Sequence, residues 1–512
     1  MKKHLILYGL ITLLLFTFNG CNKSYLNVFP EDKITSVTFW QNESDVKLAL
    51  NGIYSGLRNP FVYGLAGAEL DASTPNAYQW AYWVGYEQQV GNGSVTTSTP
   101  GIVSGRWTGC YGIIYRANYF LKNINKVKLS DEAKKMYVGE AHFLRGVAYS
   151  LLAEAYGGVP IIDSIISTEE ARNVSRASLE ETWNKVITEY DIAIKNLDVV
   201  SSGVGRATKG AALGMKMRAY LGQNKYNEVL QVVKQIDDLG KYSLFPSYYG
   251  LFQVENENNQ EVLFDVQFIA GENGQGSIYD RYWQPQNLKY GIDGANTSAP
   301  IQNLVDAYEM IDGSMVDSNN PYQGRDPRLD FTILRPGAYF QGQLYPTEIK
   351  NHTGQRVGFG IRKYTIENMA VTNGQSPLNL IVLRYADVLL AKVEALIETN
   401  QNINEAIALI NRIRTERKDV KISALPMGLS QADARKKLRH ERRIEFALEG
   451  TYWTDIKRWD IGTEIYPIEV RAADGSLIET KFPLGYNKKD NLLPIPESER
   501  SLNPNLTQNP GW

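Results

Sequence analysis

Cysteine and histidine are scarce in this chain, two and four among 512 residues. Cys21 and Cys110 stand far apart, so no disulfide framework organises the fold and packing alone must hold it. The histidines, His4, His142, His352 and His440, show no metal-ligand spacing, and no metal is expected. Neither sign of charge dominates: 54 Lys and Arg face 56 Asp and Glu, a formal net charge of −2. That balance lacks the basic field a phosphate backbone requires, which excludes nucleic acid as a partner. The Gly-rich stretch GENGQGS at Gly271 lacks the lysine and the strand context of a phosphate loop, and no cofactor is expected. Cys110 has no persuasive histidine partner and reads as a small buried residue.

What is present begins at the N-terminus. Lys2 and Lys3 precede an apolar run from Leu5 to Phe18, and Asn19-Gly20-Cys21 follows as a small-residue cleavage site. The run is too short to span a membrane and reads as a secretory signal covering residues 1–20. A cysteine directly after it resembles a lipoprotein signal, with Cys21 as the lipidated residue. Several acyl chains at about 0.8 kcal/mol per buried methylene would hold the protein on a membrane. Everything after Cys21 then reads as soluble and extracytoplasmic, starting with a polar tether over 21–36. Tyrosine outnumbers phenylalanine, 31 to 16, and its ring with a polar tip suits half-wet surfaces.

The periodicity along the chain is mainly helical. Trp40, Val46, Leu50 and Tyr54 predict a helix from Val37 to Arg58, and Trp107, Tyr111, Ile114, Asn118 and Leu121 another. In EAHFLRGVAYSLLAEAYGGVPII, from Glu140 to Ile162, small and large residues alternate on one face before Gly157-Gly158 ends the helix. An amphipathic helix follows from Leu179 to Leu197. Two short helices, Thr208 to Gly222 and Tyr226 to Leu239, are worded like a tetratricopeptide unit, and Tyr385 to Glu398 with Asn404 to Arg414 is a second candidate pair. About half a dozen such helices stack as antiparallel pairs into a right-handed solenoid-like scaffold. The expected layout is a helical part over 37–242, an irregular subdomain over 243–380 with a strand at Glu261 to Ile269, and a helical part with a loop tail over 381–512. The fold class is mainly α with a few short strands.

Two aromatic clusters do not fit a core face. Tyr78, Trp80, Tyr82, Trp83 and Tyr86 lie in the Gly- and Asn-rich loop 60–106. Tyr279, Tyr282, Trp283 and Tyr290 lie in the irregular region. Flat rings with nearby amides and carboxylates complement the C–H faces and hydroxyl rims of a carbohydrate, and Asp71 and Asn76 are candidate hydroxyl partners. By contrast Trp40, Trp107, Trp183 and Trp453 fall on helical faces and read as core. Arg439, Glu441, Arg442, Arg443, Glu445 and Glu449 can pair three or four residues apart as surface pairs, each worth little. Asp326 and Arg328 read as a loop clamp.

Taken in order, FWQNESDVKLALNGIYSGLR, EAHFLRGVAYSLLAEAYGGVPII, KGAALGMKMRAYLG, GRDPRL, LRYADVLLAKVEALIE, INRIRTER, RHERRIEFALEGTYWTDIKRW and LLPIPESERSLNPNLTQNPGW resemble the SusD/RagB family of outer-membrane, surface-exposed nutrient-binding lipoproteins. The resemblance implies four tetratricopeptide-like helix pairs and an irregular subdomain that helps form the ligand site. It also implies an oligosaccharide or polysaccharide ligand and a SusC-like TonB-dependent barrel on which the protein sits as a hinged lid. In the family an N-terminal loop and the irregular subdomain commonly share the site, so the two aromatic clusters are paired. The resemblance carries no active site, and no enzyme is expected. The alternatives are a peptide or other non-glycan ligand in the same transport role, a surface glycoside hydrolase with paired carboxylates, and an adaptor solenoid.

Overall fold

The computed structural model describes residues 39–512 apart from 65–67, 82–83, 202, 272–274, 284, 288–291, 346–357, 368–374 and 473–474. Among the described residues nine helices build the frame: α1 (Glu43–Tyr54), α2 (Ser104–Asn123), α3 (Asp131–Tyr156), α4 (Leu179–Asn196), α5 (Lys209–Gly222), α6 (Tyr226–Asp238), α7 (Tyr385–Glu398), α8 (Ile403–Thr415) and α9 (Gln431–Glu445). Side-chain caps set many of their starts. Asn42 with Asp45 and Ser178 with Glu181 close capping boxes on α1 and α4, while Ser130, Thr208, Asn402 and Ser430 cap α3, α5, α8 and α9. The cap explains why α1 starts at Glu43 rather than Val37; Trp40, at φ 72°, lies in the left-handed region and cannot belong to the helix.

Consecutive helices pack on one another from α2 through α6, and α6 then meets α7, which also packs against α8 and α9. The long helix α3 is buried over most of its second half. Gly146 permits the crossing with α4, because a Cβ there would stand 2.8 Å from the Tyr190 ring. Gly157 then ends α3 at φ 79° while its N–H donates to Ala153 O. Trp40, Trp107, Trp183 and Trp453 are all core residues, and Cys110 is a free, fully buried thiol pushed up to about 12 by burial.

The strands are short: β1 (Ala77–Gln79), β2 (Val262–Val266), β3 (Ser298–Pro300), β4 (Tyr339–Phe340), β5 (Gln343–Leu344) and β6 (Leu380–Arg384) are those that bear on the site. β2 pairs antiparallel with β6, which runs straight into α7. The two ends of the irregular region are thus tied together beside the scaffold, and β2 also packs on α5.

The charged residues of α9 overturn the expectation of exposed pairs within one helix. Glu441 and Glu445 are buried and reach across to other elements. Glu445 accepts from Arg384 (2.7 Å), Arg417 (2.8 Å) and Arg328 (2.8 Å), and Glu441 from Arg328 (2.7 Å) and Arg414 (3.0 Å). Arg328 also holds Asp326 at 2.8 Å, so the GRDPRL turn is clamped to the scaffold. Glu261 joins the knot through Arg384 and Arg417, and Glu449 through Arg384 and Lys363. Burial pushes the Glu445 carboxyl up, but Arg417, Arg384 and Arg328 outweigh it and hold it well below the usual carboxylate range. A buried charge is tolerated only with such full pairing.

The C-terminal tail is irregular yet laced to the turn after α3. Leu493 N–H donates to Ala155 O (2.7 Å), and Asn509 Nδ2 to Tyr156 O (3.0 Å). From the other side Arg176 donates to Thr507 O (3.0 Å), Tyr156 O (2.9 Å) and Gly158 O (2.6 Å).

Candidate functional site

The antiparallel pairing of β1 with β3, Ala77 opposite Pro300 and Gln79 opposite Ser298, places the two aromatic segments side by side. The pairing continues one residue further. Trp80 N–H donates to Thr297 O (3.2 Å), and its indole Nε1 to Asn296 O (2.7 Å). Thr297 in turn donates from N–H (2.7 Å) and Oγ1 (2.8 Å) to Tyr282 O. Trp80 and Tyr282 are therefore joined through one threonine, and both side chains are half-buried. Arg281 is exposed and its guanidinium lies 5.9 Å from the centre of the Tyr282 ring. Tyr86 is also half-buried, at the start of a short helix, with φ 66°.

Trp80 rests on a small core separate from the main one, made of Tyr78, Ala299, Ile301, Leu334, Ala338, Phe340, Tyr345 and Val470. That core fixes the indole from beneath, so its position is set by packing as well as by the Nε1 hydrogen bond to Asn296 O.

Five of the expected contact residues do not face outward. Tyr78 is 1 % exposed, within the small core. Tyr279 and Trp283 are fully buried and stack at 4.4 Å and 13° in the main core, with Tyr364 and Phe268 against Tyr279. The one-turn helix Tyr279–Tyr282 explains the split. Residues 279 and 283, a turn apart, share the inward face, while Tyr282 is offset from it. Asp71 and Asn76 are fully buried and satisfy each other instead of a ligand. Asn76 Nδ2 donates to Asp71 Oδ1 (3.1 Å), Gly450 N–H donates to Asp71 Oδ2 (3.3 Å), and Arg443 Nε donates to Asn76 Oδ1 (2.8 Å). This chain pins the aromatic loop to the end of α9. Burial raises the Asp71 carboxyl to about 7, with the Gly450 and Asn76 hydrogen bonds opposing it. Cys21, Tyr82, Trp83 and Tyr290 lie outside the described residues.

Sequence reasoning passed over Tyr339 and Leu344, which are 65 % and 64 % exposed on the β4–β5 hairpin. Their signal was the alternation of YFQGQLY about a two-residue turn. Other hollows lie elsewhere: an open one of about 780 Å³ beside Tyr308, Met310 and Arg414, an apolar groove of about 460 Å³ beside Trp107, Tyr111 and Leu506, and a small enclosed chamber of about 100 Å³ among Tyr63, Glu154, Arg218 and Asp387. Neither Trp80 nor Tyr282 lines any of these hollows, and each keeps part of its surface in solvent. Among the described residues no group of three His, Cys, Asp or Glu could hold a metal, and no helix is long and apolar enough to cross a membrane.

Comparison with known proteins agrees with this architecture. The SusD family model matches residues 260–512, and a second model, described as starch-binding associating with outer membrane, matches residues 25–221. The chain belongs to the SusD/RagB family. It is 25 % identical to SusD-like protein P2 of Formosa agariphila over 100 % of both chains, and 25 % identical to a SusD-like protein of Bacteroides ovatus over 90 % of this chain and 83 % of that one. Among solved structures, a SusD-like carbohydrate binding protein from Bacteroides fragilis superposes with a TM-score of 0.81 at 27 % identity, covering 92 % of this chain and all of that one. Another SusD-like protein from the same species gives 0.82 at 26 %, over 95 % of this chain and all of that one.

Proposed function

We propose that this is a lipid-anchored protein of the outer-membrane surface that captures an oligosaccharide or polysaccharide and passes it to a SusC-like TonB-dependent barrel. In this reading Cys21 carries the acyl chains, and Trp80, Tyr282 and Tyr86, together with Tyr82 and Trp83, line the glycan site. The observation that carries it is the Trp80–Thr297–Tyr282 junction, which holds two half-open rings in one fixed arrangement. Preformed aromatic surface with amide and carbonyl edges suits a sugar ring. The family description and the carbohydrate-binding relative support the same ligand class. Two or three rings at about 0.5–1.5 kcal/mol each, with a few hydrogen bonds near 1 kcal/mol, give affinities on the order of micromolar to millimolar. Weak binding suits hand-off, because a tightly held ligand leaves slowly.

The test is affinity electrophoresis of the full-length chain in detergent through gels containing starch, laminarin, xylan, mannan or pectin. At least one glycan should retard the chain, and the Trp80→Ala/Tyr282→Ala double variant should migrate freely with its fold intact. Free migration through every gel, or equal retardation of the double variant, overturns the glycan reading. For the anchor, Cys21→Ala should move the protein from the membrane to the soluble fraction.

A further inference from the structure

Along α2 an aromatic residue recurs at every fourth position, Trp107, Tyr111, Tyr115 and Tyr119, and the four form one winding stripe. Trp107 and Tyr111 meet at 5.0 Å, and Tyr115 stacks on Tyr119 at 6.5 Å. At the N-terminal end of the stripe lies the apolar groove of about 460 Å³, walled by Trp107, Tyr111, Ile162, Val174, Leu502 and Leu506. Its walls are tied to one another. Tyr111 Oη donates to Pro160 O (2.8 Å), and Asn503 Nδ2 donates to Val174 O (2.8 Å). Leu502 nevertheless keeps 58 % of its surface in solvent, and Tyr115, further along the stripe, keeps 57 %. At the other end of the stripe the described chain begins. Trp40 packs on Tyr119 at 6.1 Å and on Phe120 at 5.8 Å, with Phe39 against Trp40 at 5.2 Å.

We propose that the apolar motif Tyr25-Leu26-Asn27-Val28-Phe29-Pro30, in the otherwise polar segment after Cys21, docks in this groove as a strap. The segment joins the described chain at the right place, because Trp40 rests on the same aromatic stripe that leads into the groove. Its reach is sufficient. Trp107 and Tyr119 stand about 18 Å apart along the helix, and the stretch from Pro30 to Phe39 can span up to about 30 Å. Its chemistry also matches. Tyr25, Leu26, Val28 and Phe29 are large apolar side chains for an apolar groove, and Glu31 and Asp32 next to them supply carboxylates for Arg172. Arg172 lines the groove and makes no ion pair among the described residues. An attached segment competes at about millimolar effective concentration, which favours it over a second copy of the chain. Docked there, the motif leaves Cys21 only a few residues from the groove, so this face is the one that acyl chains hold toward the membrane. That consequence rests on the anchor reading above, whereas the docking does not.

The experiment follows maleimide alkylation of Leu502→Cys in the full-length chain in detergent, read on the peptide that carries residue 502. With the native segment, alkylation should be slower by about tenfold or more than with Tyr25, Leu26, Val28 and Phe29 all changed to Ser, a ratio that burying one large apolar side chain already supports. Met315→Cys, at a position 93 % exposed beside a different hollow, should react equally in both backgrounds. Unchanged circular dichroism of the serine variant confirms the frame. On mild oxidation a Phe29→Cys/Leu502→Cys chain should close a disulfide within itself, mapped on the peptides that carry residues 29 and 502. Equal alkylation of Leu502→Cys with and without the serines overturns the docking, as does a chain that forms no such disulfide. Protection that grows with protein concentration, or a disulfide that forms between chains, assigns the groove to a second copy and also overturns it.

Discussion

Trp283 and Trp80 carry the same indole and stand in paired aromatic segments, yet one is sealed and the other half-open. Trp283 stacks on Tyr279 inside the main core, where its ring contributes area and close packing. Trp80 lies on a small satellite core and spends its N–H on a backbone carbonyl, which leaves part of its ring to solvent. The charged residues divide the same way. The knot around Glu445 is buried and shared among four segments, whereas Lys234 and Asp238 pair on an open helix face at 74 % and 62 % exposure. Residue type alone does not assign the role; the number of elements meeting at the residue does.

The sharpest way to break the contrast is to open the knot. Glu445→Ala leaves Arg384, Arg417 and Arg328 short of a buried counter-charge and should cost about 3–5 kcal/mol, read by denaturant unfolding. Trp283→Ala should cost about 3–5 kcal/mol as well, while leaving Trp80 and Tyr282 unchanged. Trp80→Ala should invert that pattern, with glycan affinity falling about tenfold and a smaller loss of stability.

The pH profile separates two buried carboxyls. Glu445 is held below its ordinary value of 4.5, so the stability it contributes is complete above that pH and is lost as acid protonates it. Asp71 is raised from 3.8 to about 7, so its contribution is complete below 3.8 and fades as pH rises through 7. Melting temperature measured across this range should therefore lose its acid limb in part in Glu445→Gln and its neutral-pH decline in part in Asp71→Asn. The smallest effect belongs to the exposed pair: Lys234→Ala should leave the melting temperature unmoved.

The helical frame was legible because its signals are local. Apolar spacing placed most helices within a few residues of their observed ends, while caps such as Ser130 and Ser178, which the spacing does not show, fix where they start. Of the candidate site less was legible. The family resemblance, not the residues, paired the two aromatic segments, which β1 and β3 do bring side by side, and the side on which each ring falls depends on contacts made far along the chain. Tyr279 and Trp283 sit in a Gly-rich stretch that looks exposed, and residues from outside it, Phe268 on Tyr279 and Tyr364 on both, close over them. Glu445 reads as one charge in an exposed row because the arginines that bury it come from positions 328, 384 and 417.

The seam between the last twenty residues and the turn after α3 bears on how the protein matures. A chain made N-terminus first presents Ala155, Tyr156 and Gly158 long before Leu493, Thr507 and Asn509 arrive. Those carbonyls stay hydrated until residues 493–509 reach them. The seam is thus a late-closing clasp, and a chain stopped before Leu493 would leave it open.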